Sequence, residues 1–252
     1  MIAPGEVHLW LVPVHVRPGW PGLLDAEEQR RAAKLEGTPA RDVFLTSRAA
    51  QRLIGSHYLG ARPSDIVIER GCPRCPGARH GRPVFQGAAI DYSVSHTRSW
   101  LLLALTGTGL VGVDIEEMDS FQNPEAMSRT ILSEAERAHF AQLTGPERAR
   151  WLLAAWTRKE AALKLTGLGL RAWPHRVDVS GATVRATAPE WPSCTVHLYG
   201  LAAPDGHASA LATTEPLVAV HRFELPESMH RPVPPAVRAA VPAASGRLLV
   251  AG

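Results

Sequence analysis

Residues 90–116, IDYSVSHTRSWLLLALTGTGLVGVDIE, contain the pattern that decides the predicted fold. Residues 90–95 alternate in polarity and residues 100–106 are strongly apolar, and both features are typical of strands. Gly107-Thr108-Gly109 is a turn sequence, so residues 110–116 are predicted to pair with residues 100–106 as a hairpin. We expect this hairpin to lie at the centre of the molecule.

Helices and strands are predicted on both sides of this segment. Capping-box spacings, first-turn prolines and helical periodicity predict helices over residues 25–35 and 39–60, from residue 133, and over residues 146–167. Further strands are predicted at residues 7–14, 66–69, 177–179, 195–201, 208–213 and 217–223. Helices are followed by strands in each half of the chain, which predicts an α+β fold with two similar lobes meeting along their sheets.

The composition describes an ordinary globular protein. The chain has 252 residues, of which 45% are hydrophobic and 20% charged, and this balance disfavours disorder or a fibrous protein. A net charge of +3, from positive residues that are spread along the chain, disfavours nucleic-acid binding. An anionic small molecule or an acidic protein partner would suit this charge equally well. Residues 225–252 are rich in Pro and Ala and are predicted to form an irregular tail.

The cysteine content favours a reducing compartment. Cys72, Cys75 and Cys194 are an odd number of cysteines, which does not suit a disulfide framework. The longest strongly apolar run, residues 100–105, is far below the roughly 20 residues of a membrane span, and residues 1–6 lack the features of a secretory leader. We therefore expect a soluble, cytoplasmic protein.

A zinc site is the alternative use of the cysteines. Cys72 and Cys75, with His80 nearby, could supply two thiolates and an imidazole. A structural zinc site needs four protein ligands, and only one C-x-x-C pair is present, so a plain loop is the favoured interpretation.

Asp114 and Glu116 are the first candidate site. Because strand side chains alternate, the two carboxylates are predicted to point to the same side of residues 110–116 and to repel each other. Sharing a hard cation would remove this repulsion, and Mg²⁺ binds one or two carboxylates together with phosphate oxygens. The alternative is a solvated strand end that continues into Glu117.

Two further segments carry polar groups. In residues 156–164, WTRKEAALK, the side chains of Trp156, Glu160 and Lys164 are predicted to lie along one stripe of a helix. The alternative for Glu160 and Lys164 is an ordinary helix-stabilising ion pair. Residues 93–97, SVSHT, end a strand with hydroxyls and an imidazole that could bind phosphate oxygens, or that simply lie at the surface.

In this order and separation, the three segments resemble the larger, Sfp-type class of phosphopantetheinyl transferases. The motifs of that family are a G-x-D-x-E strand, a W-(S/T)-x-K-E-A-x-x-K helix and an upstream S-H pair, and its G-(K/R)-P element is matched by Gly81-Arg82-Pro83. The similarity spans roughly residues 5–220. It implies two α+β lobes in a pseudo-twofold arrangement, residues 1–105 on the nucleotide side of coenzyme A and residues 106–224 with the metal-binding and catalytic motifs.

The resemblance implies a reaction in which the 4′-phosphopantetheine of coenzyme A moves to a serine of an acyl or peptidyl carrier protein, releasing 3′,5′-ADP. The implied Mg²⁺ ligands are Asp114, Glu116 and Glu160. Asp114, Glu160 and Lys164 are the implied catalytic residues, with either Glu160 or a metal-bound water taking the proton of the serine. Lys164 would face the phosphate of the leaving group. Trp156 is expected to pack.

The resemblance also implies contacts to coenzyme A. The residues assigned to this role are Arg41, Arg82, Ser95, His96, Lys159 and Lys164. His96 would lie near the 3′-phosphate, and Arg31, Lys34 and Arg41 are the amino-terminal candidates for the same group. Lys159 would serve either phosphate binding or structure.

The family further implies a monomer whose partner is an acidic, helical carrier-protein domain of fatty-acid, polyketide or nonribosomal peptide synthesis. Two other functions are compatible with parts of this pattern. One is a non-catalytic module that binds coenzyme A or carrier protein, which the intact Asp114, Glu116, Glu160 and Lys164 disfavour. The other is a Mg²⁺-dependent phosphohydrolase, which the helix motif and the Ser-His pair disfavour.

Overall fold

The structure is a computed structural model that describes residues 1–71, 81–120, 123–225 and 247–248. Its α-helices are α1 (Ala26–Lys34), α2 (Pro39–Leu59), α3 (Pro124–Ile131), α4 (Glu134–Phe140) and α5 (Gly145–Thr166). Its first six strands are β1 (Glu6–Pro13), β2 (Ile68–Gly71), β3 (Arg82–Phe85), β4 (Asp91–His96), β5 (Trp100–Thr106) and β6 (Val111–Glu117). The remaining strands are β7 (Val177–Asp178), β8 (Arg185–Ala186), β9 (His197–Leu201), β10 (His207–Thr213), β11 (Ala219–Glu224) and β12 (Arg247–Leu248).

Two sheets organise these elements. The larger has the strand order β12-β11-β1-β5-β4, in which β11 runs parallel to β1 and the other neighbours are antiparallel. The smaller has the order β6-β10-β9 and is antiparallel. Strand pairs β2-β3 and β7-β8 are separate. The predicted α+β class is confirmed.

Helix boundaries follow the local signals in the sequence. Both predicted capping boxes are present: Asp25 accepts from the Glu28 amide at 2.8 Å, and the Ser133 amide donates to Glu136 at 2.8 Å. The long helices α2 and α5 end at glycines in the left-handed region, Gly60 and Gly167, as predicted. Strand β3 and helix α3 were not predicted.

The predicted hairpin between residues 100–106 and 110–116 is wrong. Strand β5 pairs with β1 on one edge and with β4 on the other, so both of its edges are occupied. Strand β6 pairs with β10 instead. The Gly107-Thr108-Gly109 turn therefore carries the chain from the larger sheet to the smaller one.

Each sheet has its own helix. Trp10, Tyr92 and Leu103 on one face of the larger sheet pack with Ile54 and other residues of α2. On the smaller sheet, Ala210 packs with residues of α5. A further apolar cluster lies between the sheets and is formed by residues of β1, β5, β6, β10 and β11.

Strands β4 and β6 lie side by side and are joined through β4 side chains, an arrangement we name the β4–β6 seam. The amide of Val111 donates to Asp91 Oδ2 at 2.8 Å, and the amide of Val113 donates to Ser93 Oγ at 3.1 Å. The seam fixes the alignment of the two sheets at the position where β6 carries its carboxylates.

Gly112 allows β6 to approach α5 closely. A Cβ atom at this position would lie 2.0 Å from the carbonyl oxygen of Ala161 and 2.7 Å from the amide nitrogen of Leu165. Both atoms belong to the backbone, so Gly112→Ala is expected to lower the free energy of unfolding by about 3 kcal/mol, which urea denaturation would measure. Gly200→Ala in β9, where no atom lies within 4 Å of the added Cβ, is the control and should cost less than about 1 kcal/mol. Equal losses for the two variants would contradict this account.

The candidate zinc ligands and most of the predicted carboxy-terminal tail lie in segments that the structure does not describe. Cys72, Cys75 and His80 lie outside the described residues, as does most of the predicted tail, of which residues 247–248 pair with β11. Among the described helices, none combines the length and the apolar composition that a membrane crossing requires.

Candidate active site

A cleft of about 1170 Å³ lies between the two sheets and the amino-terminal helices. Its lining includes Arg31, Arg48, Arg70, His96, Asp114, Glu116, Glu160 and Lys164. The volume is slightly above the range of about 300 to 1,000 Å³ that is usual for small-molecule sites. Cations from α1, α2 and β2 and carboxylates from β6 and α5 thus line one cleft that is large enough for a nucleotide.

Ser95, Asp114 and Lys164 form a connected triad in this cleft. Lys164 Nζ donates to Asp114 Oδ1 and to Ser95 Oγ, both at 2.6 Å, and Ser95 Oγ donates to Asp114 Oδ1 at 2.7 Å. Asp114 is only 2% exposed, and its second oxygen, Oδ2, is buried without a hydrogen-bond partner. The predicted phosphate ligand Ser95 therefore orients Asp114 and Lys164 in this structure.

Glu160 lies beside this triad and has an unusual protonation equilibrium. Burial and the negative charge of Asp114 raise its pKa to about 7, against the opposing effect of Lys164, and Glu116 raises it further. Glu116 is held by the indole of Trp156, whose Nε1 donates to Glu116 Oε1 at 3.2 Å. Trp156 therefore positions a predicted site residue as well as packing.

Asp114, Glu116 and Glu160 are the candidate ligands for a hard cation in this cleft. Across residues 1–71, 81–120, 123–225 and 247–248, no group of three or more His, Cys, Asp or Glu side chains is gathered closely enough to hold a metal ion. Nevertheless, the unpartnered Oδ2 of Asp114 and the raised pKa of Glu160 are conditions that a divalent cation would relieve. The donor set of Asp114, Glu116 and Glu160 therefore fits Mg²⁺ in its chemistry.

The opposite end of the cleft is basic. The guanidinium carbons of Arg31 and Arg48 lie 5.0 Å and 5.2 Å from the ring centroid of Phe44. Burial and the neighbouring Arg70 lower the pKa of Arg48 to about 10, and burial also lowers the pKa of Arg70. Glu28, 3.3 Å from Arg48, offsets part of this crowding. These arginines would gain from an anionic ligand between them.

Sequence reasoning missed Arg48 and Arg70 as lining residues. The i,i+4 spacing of Phe44 and Arg48 on α2 was the available signal for Arg48. Arg41, the predicted ligand, does not line the cleft, and its guanidinium pairs with Glu36 at 2.8 Å. Of the other amino-terminal candidates, Arg31 lines the cleft and Lys34 does not.

His96 lies in the cleft near Lys164. Desolvation and the positive charge of Lys164 lower its pKa, which favours the neutral imidazole. In this state it can donate one hydrogen bond to a phosphate oxygen.

Lys159 was predicted to serve either phosphate binding or structure, and its contacts in the structure favour the structural role. Its side chain is 0% exposed, and Nζ is 2.7 Å from Glu136 Oε2. The same Nζ donates to the carbonyl oxygens of Pro174 and Val177. All three donors are used inside the protein, which supports the structural role, and binding of coenzyme A by Lys159 stays a prediction.

Arg82 was predicted to lie by the nucleotide, and its guanidinium instead bonds within the protein. It pairs with Asp91, and its Nη1 donates to the carbonyl oxygens of Lys164 at 2.7 Å and Leu165 at 2.6 Å. Arg82 does not line the cleft that holds the triad. Its partners are the end of α5 and the start of β4.

The raised pKa of Glu160 predicts how stability depends on pH. The folded protein binds this proton more tightly than the unfolded chain, so the free energy of unfolding should fall as the pH rises from about 4.5 to about 7. The shift corresponds to about 3 kcal/mol, because one pKa unit is about 1.4 kcal/mol. Urea unfolding in EDTA would show this fall in the wild type and its absence in Glu160→Gln. Glu147→Gln changes an exposed residue on the same helix and should show the same pH dependence as the wild type. The prediction would be contradicted if the free energy of unfolding depended on pH in the same way in the wild type and in Glu160→Gln.

The chain is similar to known proteins over the region that contains these motifs. Residues 110–210, which contain β6 and α5, match the family model of the 4′-phosphopantetheinyl transferase superfamily. A putative 4′-phosphopantetheinyl transferase of Synechocystis sp. is 27% identical over 177 residues, covering 68% of this chain and 69% of the relative. The 4′-phosphopantetheinyl transferase HetI of Nostoc sp. is 25% identical over 198 residues, covering 74% and 80%. The resemblance to 4′-phosphopantetheinyl transferases that the sequence motifs indicated is thereby confirmed.

A solved structure is also similar. The holo-[acyl-carrier-protein] synthase of Thermotoga maritima has a TM-score of 0.31 and 21% sequence identity, over 54% of this chain and 81% of that one.

Proposed function

We propose that this protein transfers the 4′-phosphopantetheine group of coenzyme A to a serine of an acyl or peptidyl carrier protein and releases 3′,5′-ADP. The observation that carries the proposal is that one cleft brings together Asp114, Glu116, Glu160 and Lys164, the motif residues of the family. The relatives of this chain in the superfamily support the same reaction.

Asp114, Glu116 and Glu160 are the residues that would hold Mg²⁺. When bound, the ion would neutralise negative charge on the pyrophosphate of coenzyme A. The unpartnered Oδ2 of Asp114 supports this assignment, because an unpaired buried carboxylate oxygen is costly.

Glu160 and Lys164 would carry out the proton and charge steps. The Glu160 carboxylate, which lines the cleft with Asp114 and Lys164, would take the proton from the serine hydroxyl. Lys164 Nζ, held by Ser95 and Asp114, would face the phosphate oxygens of the leaving 3′,5′-ADP and stabilise their developing charge.

The basic end of the cleft would bind the nucleotide. We assign its phosphates to Arg31, Arg48 and Arg70, with His96 between this end and Lys164. This assignment supports the division into a nucleotide side, residues 1–105, and a metal and catalytic side, residues 106–224. A single chain contributes all of these residues, which favours a monomer.

The partner we propose is an acidic, helical carrier domain of polyketide or nonribosomal peptide synthesis, because the net charge of +3 favours an acidic surface. We propose that the reaction takes place in the cytoplasm. The free, exposed thiol of Cys194 supports a reducing compartment.

Intact-protein mass spectrometry of apo acyl and peptidyl carrier proteins, incubated with this protein, coenzyme A and Mg²⁺, tests the proposal. We expect a mass gain of one phosphopantetheine, which EDTA or Glu160→Ala abolishes. Glu147→Ala, at an exposed position in the first turn of α5, is the matched control and should retain the gain.

Two outcomes would refute the transferase. Binding of coenzyme A without a mass gain on any of several carriers would leave a non-catalytic binding module. Mg²⁺-dependent breakdown of coenzyme A without a modified carrier would indicate a phosphohydrolase.

A further inference from the structure

Arg82 and Asp91 form a partly buried ion pair at the point where three elements of the active site meet, a pair we name the Arg82–Asp91 clamp. Their side chains are 17% and 14% exposed. Besides its ion pair with Asp91, Arg82 donates to the carbonyl oxygens of Lys164, Leu165 and Val111. These contacts direct both terminal nitrogens of the guanidinium to protein groups.

At α5, the clamp donates hydrogen bonds to backbone carbonyl oxygens at the end of the helix that carries Lys164. The last carbonyls of a helix have no intrahelical donor, and a cation at this end interacts favourably with the helix dipole. Arg82 supplies donors to two of these carbonyls, at 2.7 Å and 2.6 Å. The stem of Arg82 passes so close to Gly167 that a Cβ there would lie 3.3 Å from Arg82 Cδ.

At β6, the clamp holds both backbone groups of Val111. The carbonyl oxygen accepts from Arg82 at 3.2 Å, and the amide donates to Asp91 Oδ2 at 2.8 Å. Val111 lies three positions before Asp114 on the same strand, and Asp91 lies four positions before Ser95 on β4.

Each element bound by the clamp therefore supplies one member of the triad of Ser95, Asp114 and Lys164. We propose that Arg82 and Asp91 are positioning residues, which set the distances within this triad by locking the starts of β4 and β6 to the end of α5. This inference rests on the proposed transferase function. Under this proposal Arg82 does not contact the nucleotide through its guanidinium and acts on the chemical step only indirectly, through the triad.

Steady-state kinetics of Arg82→Met separates the two roles. Loss of positioning should lower kcat by about 100-fold, the scale expected when reacting groups are displaced by about 1 Å, and leave KM for coenzyme A within about 3-fold. Asp91→Asn keeps the bonds of Arg82 to α5 and should lower kcat by about 10-fold, since one charge-assisted contact is lost. Arg62→Met, which breaks the exposed Arg62–Asp65 pair, is the control and should leave both constants unchanged. All variants are assayed well below their unfolding temperatures.

A double-mutant cycle tests whether the clamp acts through the triad. In a Lys164→Ala background, Arg82→Met should lower kcat by less than about 3-fold, because coupled residues are not additive. Full additivity, or a raised KM for coenzyme A at unchanged kcat, would overturn the proposal.

Hydrogen exchange gives an answer that does not depend on activity. Arg82→Met should speed amide exchange in residues 111–114 and 163–167 and leave α2 protected, and Arg62→Met should do neither. Unchanged exchange in these two segments overturns the clamp even if the wild type transfers phosphopantetheine. A wild type without transfer activity refutes the proposed function, and the exchange result then decides the clamp separately.

Discussion

Asp114→Asn is expected to lower kcat for phosphopantetheine transfer by about 1,000-fold, the upper range for losing one preorganised electrostatic group. Oδ1 of Asp114 balances the charge of Lys164, and the buried Oδ2 is the oxygen assigned to the metal ion. An amide is neutral and offers only one acceptor oxygen, so both roles are lost together. Intact-mass kinetics with an apo carrier would measure the change.

Asp205→Asn is the matched control for Asp114→Asn. Asp205 is exposed and lies just before β10, and its substitution should leave kcat within about 2-fold, as surface changes usually do. If Asp114→Asn were folded and kept more than a tenth of wild-type activity, Asp114 would have to be removed from the proposed metal and catalytic roles.

Lys159→Met is expected to lower the free energy of unfolding by about 3 to 5 kcal/mol, because removing one partner of a buried ion pair leaves the other charge uncompensated. Lys159 and Glu136 are both 0% exposed, and Glu136 also accepts from the amides of Ser133 and Val179. The pair therefore ties α5 to α4 and to the segment around β7. Urea denaturation would measure the loss.

Two comparisons support the interpretation of Lys159→Met. Arg185→Met breaks a pair with Asp178 whose arginine is 70% exposed, so it should cost at most about 1 kcal/mol. Adding Glu136→Gln to Lys159→Met should recover part of the loss, since the buried charge is then removed. Equal costs for Lys159→Met and Arg185→Met would contradict a special role for the buried pair.

The sequence was sufficient for features that depend on neighbouring residues. The capping boxes at Asp25 and Ser133 and the glycine ends of α2 and α5 all follow from residues within one helical turn, and the structure contains them. The family resemblance also implied that Asp114, Glu160 and Lys164 share a site, and all three line one cleft in the structure.

Features that depend on distant partners were not predictable. A short glycine turn after an apolar strand indicates a hairpin, but strand β1 occupies the edge of β5 that the predicted partner needed. Similarly, Arg82 and Lys159 each belong to a motif, and a motif does not reveal where the side chain finds its acceptors. Arg82 bonds Leu165, 83 residues away, and Lys159 bonds Val177, 18 residues away.

The parallel pairing of β1 with β11 has a consequence for synthesis of the protein. Glu6 lies opposite Ala219, so the edge of β1 stays uncovered until almost all of the described chain has left the ribosome. An uncovered strand edge is a template for pairing with other chains, and contacts between such distant residues slow folding. Nascent chains truncated before residue 219 should therefore aggregate or engage chaperones, whereas chains that extend past Glu224 can close the larger sheet.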